Sequence, residues 1–160
     1  MIKGEPMKKR ISLLILLFVT VLTMTSCSSK KDLSCTKKVE ESTVNEVKTI
    51  KVELNNKKIK NYYIITTQKL DTKDKYKQSC KVLSDYYTKA KNEGTLTYKV
   101  NVKCSKINKK ITITKKYNVS KLKKVEDIEN TNIRTYTKDD FTFLKDEWKK
   151  NKKENNYKCK

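Results

Sequence analysis

The chain has 160 residues, 39 of them lysine or arginine against 18 aspartate or glutamate, a net charge of +21 and no histidine. Without histidine, Ser-His-Asp and Cys-His catalysis and histidine-based metal sites are excluded. Two glycines, Gly4 and Gly94, cannot build a phosphate-cradling loop.

Met7-Lys-Lys-Arg10 is a short positive segment, and Ile11 to Met24 is an apolar run of signal-peptide length. That run is shorter than the roughly 20 residues of a membrane-spanning helix. Small residues Thr25 and Ser26 precede Cys27. This seam resembles the lipobox of bacterial lipoproteins, with Met24 where that motif prefers leucine. The resemblance implies acylation of the Cys27 thiol and cleavage before it. Two or more acyl chains, palmitate among them, anchor stably where one is marginal. The expected division is a lipoprotein signal peptide over 1–26, a lipidated cysteine and short tether over 27–32, and one domain over 33–160. The expected location is the outer face of the cytoplasmic membrane. The tether is short, at most about 18 Å from Cys27 to Asp32 when fully extended, so the domain sits close to the bilayer.

A short strand is expected over Leu33 to Glu40. Ile50, Val52 and Leu54 alternate with Lys51 and Glu53 as a half-buried strand. Asn55-Asn56-Lys57 makes a hairpin turn, because asparagine tolerates positive φ. Lys58 to Lys69 is the return strand. From Lys73 to Asn92, Tyr76, Cys80, Leu83, Tyr87 and Ala90 fall at helical spacing, and Gly94 follows as a left-handed cap. Strands over Thr95 to Ser105 and Ile111 to Asn118 form a second hairpin. Ser120 can cap a short helix bearing Leu122, Val125 and Ile128. Thr137 can cap a last helix with Asp139 and Asp140 in its first turn and an apolar stripe of Phe141, Leu144 and Trp148. The polar stretch Lys149 to Asn156 is expected to fray. The order implies an α+β fold: an antiparallel sheet of two hairpins plus a short N-terminal strand, with helices packed on one face.

Beyond Cys27 the cysteines are Cys35, Cys80, Cys104 and Cys159, an even number that reads as two disulfides in an exported domain. Three pairings are open. Cys104 follows Val100 and Val102 on the apolar face of a strand, and Cys80 lies on the helix face turned toward the sheet. Cys35 shares a strand face with Leu33 and Val39, and Cys159 with Tyr157. All four are therefore expected to be buried, and Cys80–Cys104 and Cys35–Cys159 are the favoured pairs. Scattered single cysteines, with no CxxC, speak against a redox or zinc site. No cofactor or metal is expected.

An early Ser34-Cys35-Thr36, a hairpin–helix–hairpin order and the ending Tyr157-Lys158-Cys159-Lys160 resemble small YehR-like lipoproteins of Gram-positive bacteria. The resemblance covers the part after Cys27 in architecture and supports the Cys35–Cys159 pair. It implies a fold and a location and carries no activity.

Without Lys3, Lys8, Lys9, Arg10 and Glu5 the remainder holds 35 basic and 17 acidic residues, still +18. Two readings stay open: the drift of an AT-rich genome toward lysine, or attraction to anionic lipid or wall polymer. Only Arg10 and Arg134 are arginine, and nucleic-acid partners are not expected. Asp139-Asp140 at i, i+1 shares no helix face, and Ser120-Lys121 lacks the SxxK spacing, so no catalytic residue is assigned. Tyr62-Tyr63 and Tyr86-Tyr87 must each turn one ring away from the core, and exposed tyrosines beside lysines can bind a peptide or glycan. The functional expectation is a non-catalytic binding or accessory module at the membrane outer face. The alternative is a structural or interaction subunit of an envelope membrane complex, touching an envelope protein.

Overall fold

The computed structural model describes residues 32–41 and 44–160. The expected signal peptide and Cys27 lie outside them. Strand β1 covers Asp32–Glu41, β2 Val44–Asn55 and β3 Lys58–Leu70. Helix α1 (Lys73–Asn92) follows, then β4 (Lys99–Ser105) and β5 (Lys110–Asn118). Two 3-10 turns at Val119–Lys121 and Val125–Asp127 lead to α2 (Thr131–Thr135), α3 (Lys145–Glu154) and β6 (Lys158–Cys159). The six strands form one antiparallel sheet in the order β4-β5-β3-β2-β1-β6. The expected α+β class is present.

The β2–β3 turn places Asn56 at φ +47 and Lys57 at φ +68, the left-handed pair of a two-residue hairpin. At α1 the Thr72 side chain accepts from the Lys75 N–H at 3.2 Å, and Gly94 at φ +66 lets the chain turn out after the helix. The first strand is longer than expected. It pairs with β2 over its whole length, from Asp32↔Glu53 to Glu41↔Val44, so β1, β2 and β3 form a three-stranded meander.

Register decides which side chains share a face. Val52 lies opposite Leu33 and Tyr62, and Ile50 opposite Cys35 and Ile64. Over these pack Val125, Ile128, Ile133, Phe143 and Trp148. The Phe143 and Trp148 rings meet edge to face at 5.6 Å, and Trp148 is fully buried. A second, smaller cluster on the same face joins Leu70 and Ile111 to Tyr76 of α1, with Cys80, Leu83, Val102 and Ile113 around it. Both apolar layers thus occupy one face of the sheet.

The C-terminal third departs from expectation in four ways. Asp139 and Asp140 are not in a helix. The Asp140 carboxylate accepts from the Thr142 N–H at 3.0 Å and its hydroxyl at 2.8 Å, and Phe141 takes φ +66, which a helix does not allow. The last helix therefore starts only at Lys145, with Asp146 and Glu147 in its first turn. The segment expected to fray is helical to Glu154 and holds a buried Lys152. Around Ser120 two 3-10 turns stand in place of a helix. The short α2, capped by Asn130 accepting from the Ile133 N–H at 3.1 Å, was not foreseen.

Both favoured disulfides are present. Cys35–Cys159 closes a sequence separation of 124 and Cys80–Cys104 one of 24. Burial differs from the expectation at three of the four: Cys35 is fully buried, but Cys159 and Cys80 are half-buried and Cys104 is exposed. Cys104 does point to the covered face, but β4 is the outermost strand. Loop closure gives about 5 kcal/mol for the long loop and about 3.5 for the short one, as upper figures. Cys35→Ala/Cys159→Ala is therefore expected to lower the urea midpoint further than Cys80→Ala/Cys104→Ala. Trp148→Ala is expected to cost about 3–5 kcal/mol. Equilibrium unfolding followed by circular dichroism measures all three, and a smaller loss at the Cys35 pair would contradict the order given.

Candidate anion-binding face

The opposite face of the sheet carries the other half of each strand. Across it Lys51 of β2 lies beside Tyr63 of β3, which lies beside Lys116 of β5 and then Lys99 of β4. Two residues along, Thr36, Thr49, Ile65 and Thr114 align. Next come Lys38, Val47, Thr67, Thr112 and Lys103, and last Asn45, Lys69 and Lys110. The middle of this face is short hydroxyl and β-branched side chains, a composition that suits a pleated surface. The Thr36 and Thr49 hydroxyls hydrogen-bond at 3.0 Å, and those of Thr67 and Thr112 at 3.2 Å. Lysines rim this field.

Its most organised corner lies where β1 begins. Lys51 Nζ is 2.8 Å from the Asp32 carboxylate and 3.6 Å from Glu53. Glu53 accepts from Asn61 Nδ2 at 2.7 Å and from the Tyr63 hydroxyl at 2.8 Å. The ammonium groups of Lys51 and Lys116 each lie 5.5 Å from the Tyr63 ring centre, a two-sided cation–π contact. The hydrogen bond to Asp32 raises the Lys51 pKa against the pull of desolvation. Desolvation works to raise Glu53, but the bonds from Asn61 and Tyr63 and the charges of Lys51 and Lys116 hold it below its usual range. Desolvation, with the bond to Glu53, pushes the Tyr63 phenol up to about 12.

A second aromatic group sits on the covered face. Tyr62 stacks on Tyr117 at 4.3 Å, and Tyr98 tilts against Tyr117 at 4.9 Å. Lys115 Nζ lies 5.1 Å from the Tyr98 ring centre and 5.8 Å from that of Tyr87. Burial, its largest influence, acts to lower the Lys115 pKa, and the two tyrosines overcome it. Lys152 is held beside the Tyr157 ring at 5.1 Å and the Trp148 ring at 6.0 Å, and desolvation lowers its pKa. Its stem, packed on aromatic surface, explains its burial.

The tyrosine pairs divide as expected. Tyr62 is buried while Tyr63 faces outward, and Tyr86 is exposed while Tyr87 is half-covered. Sequence reasoning found the tyrosines but not the threonine field, because its threonines come from four separate strands and are brought side by side only by the register. A cleft of about 620 Å³ lies between the β2–β3 turn and the start of α3. Lys57, Lys145, Asp146 and Glu147 line it with mixed charge, and no nucleophile stands beside a base there. Among the described residues no group of three or more Cys, Asp or Glu is placed to hold a metal ion. Among them, too, no helix is long and apolar enough to cross a membrane. Compared with protein-family models, curated proteins and solved structures, the chain matches none.

Burial raises the phenols of Tyr62, Tyr117 and Tyr157 along with Tyr63. The unfolded chain ionises its tyrosines near pH 10, so this part of the stability is intact below pH 10 and is lost as pH climbs toward about 12. Lys51 and Lys115, raised in the fold, act in the same sense; Lys152, lowered, acts against it. Tyrosinate absorbance is expected to rise in two stages, the later one coinciding with loss of sheet signal. All nine tyrosines ionising in one step with the sheet intact would rule this out.

Proposed function

We propose that the chain is a lipid-anchored, non-catalytic binding module at the outer face of the cytoplasmic membrane, held there through Cys27. It contacts an anionic partner through the open face of its sheet. The lipobox-like seam at Cys27 supports the anchor. The observation that carries the contact is the lysine rim on the uncovered face of the sheet: Lys38, Lys69, Lys99, Lys103, Lys110 and Lys116 against Asp32 and Glu53, both already engaged by Lys51. A surface of one sign attracts the opposite charge over roughly a Debye length, about 8 Å in physiological salt. Short threonine side chains between the lysines let a broad ligand approach without a clash.

Helix α1 supports a second reading, an interaction subunit of an envelope complex. Val82 and Tyr86 lie one turn apart on its outer side, 60% and 61% exposed. Large apolar groups displayed together in this way suit a protein partner.

Two measurements separate these. Cys27→Ala is expected to move the protein from the membrane fraction to the medium. The unmodified chain is expected to associate with anionic polymer or anionic vesicles and to lose most of that association, at least tenfold, when salt is raised several-fold. Binding that ignores salt and is abolished by Val82→Ser/Tyr86→Ser would instead establish the complex-subunit reading.

A further inference from the structure

The place where the tether meets the sheet limits how the domain can sit. Asp32 is the first residue of β1, and its carboxylate is on the open face, bound to Lys51. Cys27 is five residues earlier, at most about 18 Å away along an extended chain. This holds the Asp32 corner near the bilayer and leaves the tilt of the strands free.

The lysines then discriminate between the tilts. Between the pairs Tyr63↔Lys116 and Lys69↔Lys110 lie six residues of strand, about 20 Å at 3.4 Å per residue. With the strands upright on the membrane, Lys69, Lys110 and Lys103 stand well beyond the Debye length of about 8 Å and feel little of the surface potential. With the open face down, near and far lysines reach the headgroups together. On the other side α1 and the C-terminal segment cover the sheet, and the lysines those elements carry are interspersed with Asp74, Asp85, Asp146, Glu147 and Glu154. Resting on the anchored-module reading above, we infer that the open face of the sheet lies flat against the anionic phospholipid headgroups of the leaflet that carries the anchor. The threonine field sits over the headgroups, and α1, with Val82 and Tyr86, faces away from the membrane.

The test uses the full lipidated chain on phosphatidylcholine vesicles with and without phosphatidylglycerol, labelled by an amine-reactive reagent and read by peptide mass. On the anionic vesicles Lys69, Lys103, Lys110 and Lys116 are expected to label several-fold more slowly. Lys73, Lys77 and Lys81 of α1 should label equally on both. High salt should remove the difference, and Lys69→Gln/Lys103→Gln/Lys110→Gln should remove it at the remaining Lys116. Equal labelling on both vesicles, or protection of α1, overturns the orientation. If soluble polyglycerol phosphate protects the open face and phosphatidylglycerol does not, the face is a polymer site and the flat orientation is wrong. The anchor is read separately, by flotation with pure phosphatidylcholine and by the mass of the Cys27 peptide. A chain that floats with its open face unprotected sinks the orientation alone; one without acyl chains sinks both.

Discussion

The bond between Cys35 and Cys159 ties the end of the chain to its first strand across a sequence separation of 124. Strand β6 is two residues long and meets β1 only at Cys35 and Thr36, with backbone hydrogen bonds between Ser34 and Lys160 alongside. So short a strand has little stability of its own. The covalent link, placed where Cys35 is fully buried, fixes the end of the chain against its first strand. The segment between α2 and β6 is thereby kept over Leu33, Val52 and Tyr62, with Trp148 and Phe143 filling the space. Cys80–Cys104 does the same on a smaller scale, tying α1 to the outermost strand.

A six-stranded sheet offers two faces, and this chain has apolar side chains for one. Everything large and buried, from Leu33 to Ile111, points the same way. The other face is built from threonine, tyrosine and lysine, residues that stabilise a sheet through cross-strand hydroxyl and cation–π contacts while remaining wetted. The economy of the core and the character of the surface are thus one fact. A chain with a single alanine has few apolar side chains to spare for a second face, and seven of its lysines stand on the uncovered one.

Much of the fold could be read from residue order. The β2–β3 turn was legible because asparagine accepts the left-handed backbone, and α1 because its apolar side chains recur at 3.6 residues. The cysteine pairs followed from which face each cysteine shared. What escaped was set by tertiary pairing. The outer end of β2, around Glu46-Val47-Lys48, becomes strand through its pairing with β1 and β3. Helix α2 is five residues long, too short to show a period. The start of α3 depended on the competing turn at Asp140, a local hydrogen bond that outbids a helix cap. The burial of Lys152 needed Trp148 and Tyr157 brought together by the fold. The open face was written in threonines whose meaning appears only when five strands are laid side by side.

The sheet ends in two exposed edges: all of β4, and β1 beyond Thr36, where β6 stops. Such edges are templates on which a second chain can add strands without limit. Here Lys99 and Lys103 stand on one edge and Lys37 and Lys38 on the other. Edge-to-edge growth into fibres would bring these like charges within a strand spacing of one another, about 4.8 Å. The lysine excess on these edges therefore protects the chain from its own backbone, opposing strand addition by a threonine-rich, β-prone sequence even where many copies are crowded together.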